Sequence, residues 1–254
     1  MNKKHFIVIC LFMIVSCQKS KSNNHELTGQ HLESSYKDWW VYFNDSIRLS
    51  SDFVAYDAKS DKINKELFLK SLATGEYIPL KCSSDNSETV YKLHELKKDA
   101  DVNISSTIKN LAKIELTNFQ NEGKKLGAFH FTDLNGNQYT SENTLGKTII
   151  LKCWFINCMQ CVKEMPALNK MVQQFKNRND VIFLSLASDS EADLKKFLSK
   201  RKFDYAVVPN QEDYFKNTLG IKIFPTHFII NKKGIVTKVA NDAKIIEEAI
   251  KSLE

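Results

Sequence analysis

"KTIILKCWFINCMQCVKEMPALNKM", from Lys147 to Met171, decides how this chain is read. The continuous run Thr148 to Phe155 has the length and composition of a strand buried on both faces. It leads into Cys158-Met159-Gln160-Cys161, and a helical pattern follows at once. Two cysteines at i and i+3 on a helix start lie on one face, near enough to close a small disulfide ring. The helix N-terminus also offers free backbone N–H groups and a positive dipole end to the first sulfur. That favours Cys158 as thiolate, the form that attacks a disulfide. Cys161, one turn further on, is placed to resolve the mixed disulfide that results. The same spacing could supply half a zinc site, but no second CxxC or paired histidines complete four ligands.

Downstream, "ALNKMVQQF", "EADLKKFLSK", "EDYFKNTLG" and "AKIIEEAIKSL" read as helices. "VIFLSLAS", "YAVVP", "THFIIN" and "IVTKVA" read as strands, the last two joined by a turn at Lys232-Lys233-Gly234. Upstream, "AFHFTDLNGNQYT" reads as a strand pair around Asn135-Gly136, a dipeptide that favours a type I′ turn. Strands that alternate with helices and then close as a hairpin predict an α/β fold with a mixed sheet.

Trp154 stands four residues before Cys158, Pro166 five after Cys161, and Ile223-Phe224-Pro225-Thr226 precedes a strand. This combination resembles the thioredoxin superfamily. More closely, "DLNGNQYTSENTLGKTIILKCWFINCMQCVKEMPALNK" resembles the TlpA/ResA branch of envelope thiol–disulfide oxidoreductases. The resemblance covers roughly the half of the chain from Gly127 onward. It implies a thioredoxin-like central mixed sheet flanked by helices, with Cys158 and Cys161 as the redox-active pair and no cofactor. It further implies a helix kink at Pro166 and a cis-proline at Pro225. The backbone of Phe224 would hydrogen-bond an extended substrate segment. Glu164 would be an acid beside the sulfurs with a raised pKa, exchanging a proton with the resolving thiol. Protein disulfides would be the substrates and a membrane carrier of the DsbD or CcdA type the electron donor.

The sequence departs from the family pattern in three places: Asn157 precedes the first cysteine, Met-Gln fills the CxxC, and Lys152 stands where thioredoxin has a buried Asp. Lys152 is expected to reach out to solvent from the strand. Cys153 is expected in the core, Trp154 as packing, and His227 on a strand face. Two further readings compete. Peroxiredoxins share the fold, but their signature Pro and Thr are here Leu151 and Phe155. A copper-handling module would use both cysteines with His227 as third ligand, yet copper chaperones of this superfamily use a CxxxC spacing.

The N-terminal half is less legible. Trp39 to Phe43 make a strand-like aromatic run; Asn64 caps "KELFLKSLAT"; "YIPLKC" reads as a strand; Ser106 begins a second helical pattern. Cys82 is read as a small buried residue. The expected organisation is a signal peptide over 1–16, a polar tether over 17–35, an α+β region of unknown role over 36–122, and the thioredoxin-like domain over 123–254. Met1 to His5 is a cationic head, and Phe6 to Val15 is an apolar run too short to span a bilayer. Ile14-Val15-Ser16-Cys17 resembles a bacterial lipobox, which implies acylation of Cys17, anchoring in a lipid bilayer and a location facing the periplasm. In such an oxidising compartment, cysteines pair or are kept reduced for a purpose. The 254-residue chain is 43% hydrophobic and carries a net charge of +6 spread along its length. That spread argues against a nucleic-acid surface.

Overall fold

The computed structural model of the chain describes residues 29–83 and 88–251. The N-terminal unit contains helices α1 (Gly29–Glu33) and α2 (Tyr36–Ser46), strands β1 (Val54–Tyr56) and β2 (Lys62–Ile63), helix α3 (Lys65–Leu72), strands β3 (Tyr77–Cys82) and β4 (Val90–Glu95), and the long helix α4 (Val102–Asn121). Its sheet has the order β2-β1-β4-β3, with β1 parallel to β4 and the other pairs antiparallel. Leu32, Trp39, Phe68, Tyr91, Ile104 and Ile108 make its core, and Cys82 ends β3 buried.

Two expectations for this unit are corrected. Residues 39–43 are helical, because the Ser35 side chain caps α2 by accepting the Asp38 N–H, and helical spacing turns Trp39 and Phe43 to the core. Aromatic residues favour strands when they alternate, but here the outward face is carried by Trp40 and Val41 side by side. Helix α4 begins at Val102, ahead of Ser106, since Asp101 caps it and Ile104 already faces the core.

The C-terminal unit follows as β5 (His130–Thr132), β6 (Gln138–Thr140), β7 (Thr148–Trp154), α5 (Met159–Lys163), α6 (Met165–Gln174), β8 (Val181–Ala187), α7 (Glu191–Leu198), β9 (Ala206–Val208) and α8 (Glu212–Tyr214). A π-helical turn, Phe215–Leu219, continues α8 to Gly220, and β10 (Thr226–Ile230), β11 (Val236–Ala240) and α9 (Ala243–Lys251) complete it. The five-stranded sheet runs β11-β10-β7-β8-β9, parallel from β7 to β9 and antiparallel across β7, β10 and β11. The β5–β6 loop is not a type I′ turn: only Gly136 has positive φ, 83°, while the Asp133 carboxylate accepts the N–H groups of Asn135 and Asn137. That acidic side chain, rather than the Asn-Gly pair, organises the connection.

All seven residues of β7 are buried. Strand alternation sends Ile149, Leu151 and Cys153 into one core with Phe131, Phe215 and Phe228. Ile150 and Trp154 go to the opposite face, under α5, α6 and α9. Lys152 lies between these two, and the same alternation turns its side chain to that helix-covered face.

Candidate active site

Strand β7 delivers the chain to a turn held by the Asp189 carboxylate, which accepts the Ile156 N–H at 2.8 Å. Cys158 is the N-cap of α5, and its Sγ accepts the Cys161 N–H at 3.2 Å. The two sulfurs are joined in a disulfide. Cys161 is fully buried, Cys158 retains 7% exposure, and Met159 between them stands 87% exposed. Among the pair, Cys158 is thus the sulfur nearer solvent. The helix breaks at Glu164, which ends α5 and caps α6, where Pro166 sits in the first turn.

The Phe224–Pro225 peptide is cis. The Phe224 ring packs edge-on against Phe155, with centroids 5.4 Å apart, and shares an apolar cluster with both cysteines. The Pro225 carbonyl accepts from Asn241 Nδ2 at 2.8 Å, and no described residue hydrogen-bonds the Phe224 backbone. Cys17 lies outside the described residues.

Behind the disulfide is a buried polar group that the sequence reading did not assemble. In the sheet, Lys152 is the register partner of Ser185 on one side and His227 on the other. None of the three has measurable exposure. Lys152 does not reach solvent. Its Nζ donates to the Cys161 carbonyl at 3.0 Å and bonds the Glu164 carboxylate. His227 Nε2 lies 2.8 Å from the same Glu164 oxygen, a charge-pairing distance without the alignment of a formed hydrogen bond, and Nδ1 has no partner among the described residues. Tyr205 Oη and Ser185 Oγ are likewise buried without hydrogen-bond partners there.

This geometry corrects the expectation for Glu164. Burial pushes its carboxyl up, but the His227 ring and the Lys152 ammonium outweigh that and hold it below the ordinary carboxylate value. Burial depresses Lys152, with Glu164 partly restoring it, and likewise depresses His227 despite Glu164. Cys153 sits on the other sheet face, where burial raises its thiol far above the ordinary value, so it is an inert core residue. Trp154 packs against Phe197 and Phe203. The signal that could have revealed the cluster was a lysine inside an otherwise apolar strand, a position that buries its charge unless a partner waits on the facing helix.

The AhpC/TSA family pattern matches residues 122–239. The chain is similar to the thiol-disulfide oxidoreductase ResA of Bacillus cereus, 30% identical over 129 residues, covering 51% of this chain and 72% of that protein. It is similar also to ResA of Geobacillus thermodenitrificans, 25% identical over 126 residues, or 50% and 72% of the two chains. Among solved structures, the thioredoxin domain of a thiol-disulfide oxidoreductase from Bacteroides vulgatus aligns over 52% of this chain and 98% of its own, with TM-score 0.46 and 25% identity.

Proposed function

The chain belongs to the ResA-type thiol–disulfide oxidoreductases, and on that premise we propose that it reduces protein disulfides in the bacterial envelope with Cys158 as attacking and Cys161 as resolving thiol. The reduced Cys158 thiolate attacks a substrate disulfide, forming a Cys158–substrate disulfide and expelling one substrate thiolate. Cys161 then loses its proton and attacks Cys158 Sγ, expelling the second thiolate. The substrate gains two electrons, and the Cys158–Cys161 disulfide is the oxidised end of the cycle. A dithiol carrier in the membrane returns the electrons.

One observation supports this reading most: Cys158 caps α5, accepts a backbone N–H and keeps the only exposure of the pair, while Cys161 is sealed beneath it. An attacker needs access and a stabilised thiolate; a resolver needs only proximity. Phe224 offers an unoccupied backbone edge beside the cysteines for an extended substrate segment, with cis-Pro225 shaping that edge. Cys161→Ser should trap partners covalently on Cys158, and Cys158→Ser should abolish both trapping and disulfide reduction. Normal reductase activity in Cys158→Ser would defeat the assignment.

The peroxidase reading finds no support, since Leu151 is core and Phe155 packs on Phe224 where peroxide chemistry needs Pro and Thr. A copper role gains none from His227, which is fully buried beside Glu164.

We place the protein on a membrane through acylated Cys17, with a tether that ends ahead of α1 rather than at residue 35, because Leu32 belongs to the N-terminal core, and with 123–254 as the catalytic domain. Among the described residues no helix is long and apolar enough to cross a bilayer. Mass spectrometry of the membrane fraction should find Cys17 as an acylated N-terminus; an unmodified Cys17 in a soluble mature form would contradict this.

A further inference from the structure

We propose that Lys152 and His227 are positioning residues that act on Cys161 through Glu164: Lys152 fixes Glu164 as a carboxylate, and His227 takes up the proton that Cys161 releases as it resolves the mixed disulfide. The proposal rests on the assignment of Cys161 as resolver and says where its proton goes.

The geometry leaves little choice of acceptor. Cys161 is fully buried, so bulk water does not meet its sulfur directly. Glu164 is three residues on, at the end of the same helical turn, and Lys152 ties that turn together by bonding both the Cys161 carbonyl and the Glu164 carboxylate. A carboxylate held by a buried ammonium is a poor place to leave a proton. Lys152 is engaged as donor to both the Cys161 carbonyl and the Glu164 carboxylate. Tyr205, from the loop before β9, has a hydroxyl that burial and Glu164 make harder to ionise, and it is an acid rather than a base. Asp242 acts on the ring from the start of α9 but is exposed, and Cys153 faces the opposite side of the sheet. His227 is the remaining neutral base, 2.8 Å from the carboxylate.

The step balances. Cys161–SH attacks Cys158 Sγ, an S–S bond forms between them, and the Cys158–substrate S–S bond breaks with its electron pair leaving on the substrate thiolate. The Cys161 proton passes by the Glu164 carboxylate to His227. At the moment of attack, a developing thiolate and an imidazolium appear together in one buried site and compensate each other's charge. The imidazolium is transient: once the disulfide has closed, burial favours neutral His227, the state the structure describes, and the proton is released to balance the expelled substrate thiolate.

Ellman's disulfide tests this on the full chain. Reduced protein should release one chromophoric thiolate as Cys158 attacks and a second as Cys161 resolves, and the two phases separate by stopped flow. His227→Gln should slow the second phase near neutral pH by about a hundredfold, the low end for losing a positioned proton acceptor, and remove the histidine limb from its pH profile. Lys152→Met should shift that profile to higher pH. Combined with Glu164→Gln, it should add nothing to Glu164→Gln alone. A second phase unchanged in rate and pH profile by His227→Gln, or fully additive effects of Lys152→Met and Glu164→Gln, would overturn the proposal. Absence of the first phase in the parent protein would instead defeat the Cys158 assignment itself. Because His227→Gln could fail to fold, NMR titration of the His227 ring in the parent supplies an independent test. Its pKa should differ between the oxidised and reduced protein, and an identical titration in both states would contradict the coupling.

Discussion

Glu164 has two basic neighbours and 8% exposure, so replacing it by Gln strands a buried ammonium. Removing one partner of such a pair costs about 3–5 kcal/mol, and denaturant unfolding of Glu164→Gln should show a loss of that order. The pH dependence has a definite sign. Glu164 and His227 both have folded pKa values below their ordinary 4.5 and 6.5, so between each pair of values the unfolded chain binds more protons than the folded one. Stability therefore rises with pH through both windows and is lost on acidification, first below 6.5 as His227 is driven to charge, then below 4.5 as Glu164 is neutralised. Comparing melts of the parent and His227→Gln from pH 7 to 5 should show a smaller acid loss in the variant; equal losses would contradict a buried neutral His227. The sequence made Lys152 and Glu164 visible as residues but not as a pair. Their meeting depends on which face of β7 lies under the α5–α6 break, and the depression of the Glu164 pKa follows from its contacts with His227 and Lys152 together.

At the scale of elements, the signals in the C-terminal half were legible because each is local and repeated. A continuous apolar run, a CxxC on a helix start and a proline before the next strand all describe short stretches, and β7, α5 and β10 appear where those stretches predict them. The aromatic run at 39–43 failed as a strand signal because tertiary burial and the Ser35 cap chose the helix. Trp39 is wholly buried in the N-terminal core, packed 5.3 Å from Phe43. Trp39→Ala should cost about 3–5 kcal/mol, as large-to-small changes of buried aromatics do, and calorimetry should register it. A change within a few tenths of a kcal/mol would mean that α2 is not part of that core.

Across the whole molecule, the N-terminal unit touches the catalytic one at the segment that matters. Asn118 of α4 donates to Asn241 at 2.7 Å, and Asn241 in turn donates to the Pro225 carbonyl and to Thr226 Oγ1. Glu122 accepts the Val239 N–H at 3.0 Å, and Lys238 pairs with Asp52. Nothing in the sequence pairs residue 118 with residue 241, so this contact was out of reach of pattern reading. Losing the Asn118 hydrogen bond should cost about 1 kcal/mol. If the contact braces the cis-proline edge, Asn118→Ala should weaken capture of protein partners more than reaction with a small disulfide. Equal effects on both would confine the contact to holding the units together.

The roles of Cys158 and Cys161 are separated most directly by the order and pH dependence of alkylation of the two thiols in the reduced protein, followed by mass mapping. The α5 N-terminus and the Cys161 N–H should stabilise Cys158 as thiolate, so Cys158 is modified first, with a midpoint below the ordinary thiol value of about 8.5, while sealed Cys161 lags. Alkylation of Cys161 first, or a Cys158 midpoint at the ordinary thiol value, would contradict the account.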